Sequence, residues 1–186
     1  LRLTAGPGTL GVVTSPSFVP FEMMDQETGE MIGFDMEIIR EVADRAGFEI
    51  DLNTMDFNGI IPGLQTGQID VGIAGMTIKP ERAEVVDFSD PYYNAGLLIL
   101  VKADDNSIND VKDLKGKVVS TKLGTTRADF ANAETGAKDV KLFPNNDAMF
   151  LGLLSGGADA AIFDSPVIAE FMRTAGKGQV KVAGPL

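Results

Sequence analysis

The chain has 186 residues, 44% of them hydrophobic, with 27 acidic residues against 16 basic ones and neither cysteine nor histidine. That apolar share is enough for one compact body or two small lobes with real cores, while a net charge of −11 repels nucleic-acid backbones and anionic membrane surfaces. The missing cysteine and histidine remove disulfides, thiolate-bound zinc and the Ser-His-Asp and Cys-His nucleophile arrangements, so most hydrolase chemistry falls away and only carboxylates remain as metal ligands.

In chain order, Leu1 to Thr9 mixes Gly, Pro and Thr without periodicity and is expected to be a flexible leader or an expression remnant. No basic-then-apolar signal segment stands here, so the expected form of an exported protein is the mature one. Leu10 to Thr14 reads as a strand. Asp35 is expected to cap a helix whose apolar positions Met36, Ile39, Val42 and Ala43 recur at helical spacing until Gly47 stops it. Phe48 to Leu52 and Ile69 to Ala74 are the next strands, and Pro80 opens a short helix carrying Arg82. Gly96 to Val101 is the longest apolar run, too short to span a bilayer, and the polar, turn-rich Ala103 to Asn109 follows it. A lobe boundary is expected at that polar segment, with the crossing near Asn94 to Leu97 as one hinge strand and the other at or beyond the C-terminus, for a first lobe of residues 1–96 and a second of 97–186.

The second lobe repeats the alternation. Strands are expected at Val118 to Thr121, Val140 to Phe143, Ala158 to Phe163 and Val180 to Val182, and helices at Thr126 to Ala133, Asp147 to Leu154 and Pro166 to Thr174. Strands alternating with amphipathic helices predict an α/β fold in which each lobe is a mainly parallel sheet flanked by helices. An internal echo supports the two-lobe division. Gly63 to Ile73 aligns without gaps on Gly152 to Ile162, identical at five of eleven positions, each reading as helix end, glycine turn and strand. The same register sets Gly75 opposite Asp164, both just past the C-terminal end of a strand, where open α/β sheets bind ligands.

Three motifs stand early in the chain: Ser17-Phe18-Val19-Pro20-Phe21-Glu22, Ile32-Gly33-Phe34-Asp35 and Met55-Asp56-Phe57-Asn58-Gly59-Ile60-Ile61-Pro62. Ala74-Gly75-Met76-Thr77-Ile78 with Glu81-Arg82, then Asp87-Phe88-Ser89-Asp90-Pro91-Tyr92-Tyr93, continue the series. From about Val12 to Gly184 the pattern resembles the polar amino-acid-binding proteins of bacterial ABC importers, the two-lobed periplasmic binding proteins of type 2, and among them the glutamine-binding proteins. The resemblance implies a non-enzymatic, cofactor-free and metal-free binder of a free L-amino acid, partnered by a permease and working in the periplasm or outside the cell.

A zwitterion taken out of water needs a cationic fork for its carboxylate and an anion for its ammonium. By resemblance Arg82 is that fork, helped by the backbone N–H and hydroxyl of Thr77, and Asp164 is that anion, helped by the carbonyl of Gly75 with Met76 in the same strand-end motif. Taken alone, Arg82 reads as a surface helix residue and Asp164 as the N-cap of the helix begun by Pro166. Phe18 and Phe57 match the rings that sandwich the ligand's aliphatic part, although any single Phe of the 11 reads first as core. Lys122-Leu123-Gly124-Thr125-Thr126 joins a strand to a helix, where backbone N–H groups face anions. The resemblance gives the N–H of Thr126 to the ligand carboxylate, counts Thr125 in the same loop, and sends Lys122 to the side-chain end of the ligand, where it would disfavour arginine and lysine. Otherwise Lys122 is a solvated surface residue.

Two positions depart from the glutamine-binding pattern, Ser15 where an aspartate is usual and Phe163 where a histidine is usual, and both bear on the side-chain end of the ligand. Glutamate or another polar amino acid therefore stays open beside glutamine. Lobe 1 also lacks the strand and terminal helices with which the family returns to it, so it is expected to expose apolar surface, through truncation or to an oligomer that covers the gap. Rivals of other classes are a dehydratase-like enzyme, for which no motif position supplies an extra cleft acid or base, and a sensory ligand-binding module.

Overall fold

A computed structural model describes residues 8–185. Leu1 to Pro7 of the expected leader lie outside the described residues, and Thr9 already belongs to the first strand. The chain divides into two compact units, the first ending at Pro91 and the second beginning at Tyr92.

In unit 1, β1 (Thr9–Thr14) lies between β4 (Glu49–Thr54) and β5 (Val71–Gly72), parallel to both. A two-strand ribbon, β2 (Met23–Met24) and β3 (Met31–Ile32), precedes α1 (Phe34–Ala46). After β4 come a 3-10 turn at Phe57–Gly59, α2 (Ile60–Thr66) and, beyond β5, the single-turn helix α3 (Pro80–Ala83). Met36 and Ile39 of α1 pack on Val12 and Ile73 of the sheet, while Val13 on the other face joins Phe57, Ile60 and Ile69. Successive strand residues thus feed opposite cores, as the pleat dictates.

Three sequence expectations fail in whole or part in this unit. Val42 is exposed, because it lies roughly a quarter turn round α1 from the stripe of Met36, Ile39 and Ala43 at 100° per residue. Asp35 does not cap the helix. Gly33 holds the N-cap at φ 120°, and Asp35 sits one position inside α1, fully buried, with its carboxylate spent on a distant partner. Gly33 is obligatory at that φ, since a Cβ there would run into the Phe21 carbonyl. The loop before the ribbon closes the helix end instead, Pro20 and Phe21 carbonyls accepting from the N–H groups of Phe34 and Asp35 at 3.2 and 2.9 Å. Gly47 ends α1 as expected, in the left-handed conformation. The strand expected over Ile69 to Ala74 is ladder-paired only at Val71–Gly72.

Unit 2 holds a five-stranded sheet in the order β10-β6-β9-β7-β8. Its strands are β6 (Leu97–Lys102), β7 (Val118–Lys122), β8 (Asp139–Phe143), β9 (Ala160–Asp164) and β10 (Val180–Pro185). The helices are α4 (Thr126–Glu134), α5 (Asn146–Leu154) and α6 (Ser165–Arg173), with a 3-10 turn at Val111–Leu114. The sheet is mixed: β7 runs parallel to β8 and β9, whereas β6 runs antiparallel to β9 and β10. Ile99, Val101, Leu114, Val119, Ala131, Ala160 and Ile162 form one core face.

The echo is structural. In unit 1 the strand order β4-β1-β5 is the order β8-β7-β9 of unit 2, with α1 matching α4 and α2 matching α5. Asp70 N donates to the Gly11 carbonyl at 2.9 Å while its carboxylate accepts from Gly11 N at 2.8 Å. Asp159 makes the same pair of bonds to Val118, both at 2.8 Å. Ile69 N to Gly63 O and Ala158 N to Gly152 O complete the correspondence. Eleven aligned residues therefore fold as one repeated unit, and the register linking Gly75 to Asp164 carries physical weight.

Candidate functional site

The two units build their strand ends differently. In unit 1, Arg82 lies on α3, half-buried, its Nη1 donating to the Thr77 carbonyl at 2.8 Å and its guanidinium 5.8 Å from the centre of the Phe57 ring. Pro80 opens α3 with a fixed φ and no N–H to satisfy, so the turn places Arg82 with only four helical residues. Resting near an aromatic face does not neutralise the guanidinium. Phe57 is buried in the 3-10 turn. Thr77 and Met76 follow Gly75, Thr77 exposed and Met76 partly packed on the core beneath.

Gly75 follows β5 with φ +53°, and its Cα faces the Phe18 ring so closely that a Cβ would lie 2.5 Å from Phe18 Cε1. Phe18 is buried, its ring 5.1 Å from that of Phe21. Ser15 is buried directly after β1. The Gly75 N–H donates to the carboxylate of Asp35 at 2.9 Å across 40 residues of sequence, which explains why Asp35 leaves its own helix end.

In unit 2, Lys122 ends β7 and is 2% exposed, so it is no solvated surface lysine. Thr125 is the N-cap of α4, its hydroxyl accepting from Ala128 N at 3.3 Å and donating to the Lys122 carbonyl at 2.7 Å. That side chain serves the helix. Thr126 begins α4, whose first N–H groups have no intrahelical acceptor and so face outward along the dipole. Asp164 ends β9, buried to 1% exposure, and its side chain makes no cap bond to α6.

The partner of Asp164 is Arg127, a residue the sequence reading did not single out. Arg127 Nε donates to Asp164 Oδ1 at 2.9 Å and its Nη2 reaches Oδ2, a two-pronged pair inside one unit. Arg127 is itself 5% exposed, donates from Nη1 to the Thr126 hydroxyl at 3.2 Å, and lies 5.6 Å from the centre of the buried Phe163 ring. Burial pushes the Asp164 carboxyl above the usual range, and the Arg127 charge and hydrogen bond pull it back down. A carboxylate offers about four lone-pair sites, so one held by a guanidinium fork retains capacity for a further donor. A signal for Arg127 was present: a cation in the first turn of a helix opposes the dipole and calls for a specific anionic partner.

Unit 1 also has an open hollow of about 600 Å³ between the ribbon, Arg40 and the end of β4. None of the residues singled out from the sequence lines it. Among the described residues no cluster of acids fit to hold a metal occurs, and no helix is long and apolar enough to cross a membrane.

Residues 10–174 match the family model of bacterial extracellular solute-binding proteins, family 3. The arginine-binding extracellular protein ArtP of Bacillus subtilis is 43% identical over 121 residues, 65% of this chain and 46% of ArtP. Among solved structures, an ancestral arginine-binding protein bound to arginine superposes with a TM-score of 0.90 at 42% identity, covering 96% of this chain and 80% of that one. An ancestral arginine-binding protein bound to glutamine gives 0.91 at 41% identity, covering 97% and 80%. The chain spans about half to two-thirds of the length of curated relatives such as these.

Proposed function

The chain belongs to the bacterial extracellular solute-binding proteins of family 3, and from that premise we propose that it binds one free polar L-amino acid, glutamine ahead of arginine, for delivery to an ABC permease. It would work outside the cytoplasm and without chemical turnover. Arg82 takes the ligand carboxylate, with the N–H groups of Thr77 and Thr126. Asp164 and the Gly75 carbonyl take the ammonium, and the rings of Phe18 and Phe57 cover the aliphatic part.

The observation that carries the choice of ligand is the buried charge of unit 2. Among its described residues the buried charged side chains are Lys122, Arg127 and Asp164, two cations and one anion. A ligand ending in a guanidinium or ammonium adds a further positive charge to a desolvated site, where like charges repel most strongly. An amide adds none and can accept from Lys122. Arginine is the second reading, favoured by what ArtP and the ancestral proteins are named for.

Calorimetric titration of the chain with the twenty L-amino acids tests the proposal. Glutamine should bind most tightly, and arginine and lysine at least about tenfold more weakly, a difference of about 1.4 kcal/mol. Arginine binding more tightly than glutamine would overturn the assignment. Absence of binding to any of them would overturn the class as well, and turnover of prephenate or arogenate would move the chain among enzymes.

A further inference from the structure

We infer that Arg127 and Asp35 are a matched pair of positioning residues, one in each unit, that fix the groups holding the ligand's ammonium. The inference rests on the reading above that Asp164 and Gly75 are those groups.

The internal duplication carries it. Ile73 aligns with Ile162, so Gly75 and Asp164 are equivalent at the end of the third strand of the repeated β-α-β-α-β frame, Gly75 a little past β5 and Asp164 the last residue of β9. Asp35 is the second residue of α1 and Arg127 the second residue of α4, the helices that follow the first strand of each frame. Both side chains cross to the equivalent strand end. Asp35 accepts from Gly75 N at 2.9 Å, and Arg127 donates to Asp164 at 2.9 Å. Sequence separations of 40 and 37 residues show that neither bond is local.

The chemistry differs because the partners differ. Gly75 offers a backbone N–H, so its holder must accept, and fixing that N–H aims the adjoining peptide. Asp164 offers a buried anion, so its holder must donate through two prongs and carry positive charge. Without that charge a carboxyl at 1% exposure would hold its proton and lose its attraction for an ammonium. Among the described residues Arg127 is the charged group acting on Asp164, and it sits on α4, while the strands beside Asp164 present Leu97 of β6 and the end of β7 at Lys122. The bidentate contact also sets which way Asp164 faces.

The test measures L-glutamine affinity by calorimetry from mildly acidic to neutral pH for the wild type, Arg127→Gln, Arg127→Lys, Asp35→Ala and Asp164→Asn. In the wild type, affinity should fall about tenfold per pH unit below the Asp164 midpoint, because one proton then competes with the ammonium. Arg127→Gln should move that midpoint up by about one unit or more. Arg127→Lys restores the charge but not the fork, so its midpoint should lie between the two and most affinity at neutral pH should return. Asp35→Ala should weaken binding without moving the midpoint, since a peptide carbonyl does not titrate. A folded Arg127→Gln with the wild-type midpoint would overturn the inference. If that variant fails to fold, an unmoved midpoint in Arg127→Lys would overturn it equally, and unchanged affinity in Asp35→Ala would remove the unit 1 half. Asp164→Asn binding as tightly as wild type would instead defeat the ammonium assignment beneath it.

Discussion

Replacing Gly75 with Ala probes both the backbone and the ligand face of unit 1. At φ +53° an L side chain costs about 1–2 kcal/mol. The new Cβ would stand 2.5, 3.0 and 3.3 Å from three atoms of the Phe18 ring, where carbon pairs prefer about 3.5–4.0 Å. The ring must therefore retreat by roughly 1 Å against Phe21, 5.1 Å away, and overpacking of that kind costs about 1–3 kcal/mol. Lower freedom of the unfolded chain returns about 0.4–1 kcal/mol, so the net destabilisation should be about 1–4.5 kcal/mol. Urea unfolding of Gly75→Ala beside Gly67→Ala isolates the clash, because Gly67 also has positive φ, +71°, but nothing within 4 Å of its would-be Cβ. Gly75→Ala should lose the larger amount of stability, and its glutamine affinity should drop at least about tenfold as Phe18 shifts. Equal destabilisation in the two variants, with wild-type binding in Gly75→Ala, would show that the Phe18 contact constrains neither fold nor ligand.

Arg82→Ala should lose about 3–5 kcal/mol of binding, because the ligand carboxylate would be left buried without its fork, and calorimetry at neutral pH reads it directly. Asp70→Ala and Asp159→Ala should each lower stability by about 1 kcal/mol in urea titrations, since each removes the side-chain acceptor of one backbone N–H, Gly11 in β1 and Val118 in β7, and a tenfold difference between their unfolding constants would contradict the duplication. Asp164 supplies a pH dependence of defined sign. Its folded carboxyl is raised above the unfolded value, chiefly by burial, so its contribution to stability is fully present below the ordinary carboxylate range. As pH climbs toward the raised value, the unfolded chain releases the proton first and that contribution is lost. Unfolding free energies measured across mildly acidic pH should therefore decline less steeply with rising pH in Asp164→Asn than in the wild type.

Elements were legible where the pattern was local. Gly47 after the stripe of Met36, Ile39 and Ala43 gave the end of α1, and the gapless match of Gly63–Ile73 to Gly152–Ile162 gave the repeated turn, down to its Asp-to-backbone bonds. Of the candidate site, the placement of motif residues was legible: Arg82 on its Pro-led turn, Lys122 at a strand end, and Phe18 against Gly75. What escaped was tertiary. An acid at the start of a helix reads as a cap by default, and nothing near Asp35 in sequence announces Gly75 N. Asp164 likewise stands before Ser165-Pro166 as a cap would, yet its oxygens turn to Arg127. In both cases a long-range bond outcompeted the local one, because burial makes an unmet charge or N–H costlier than an uncapped helix end.

That competition explains how one duplicated frame can present different chemistry at its two equivalent strand ends. The frame fixes positions only: a strand end, and the second residue of the helix that follows the first strand. Polarity is free to vary so long as each pair stays complementary, and here it has inverted, an acid reaching a backbone N–H in unit 1 and a base reaching an acid in unit 2. Exchanging one member alone would leave two acceptors facing at Asp164, or two donors at Gly75, in places with almost no water to relieve them. Such positions would have to change as pairs to stay satisfied, so the residue beside each strand end constrains which charge that strand end can carry.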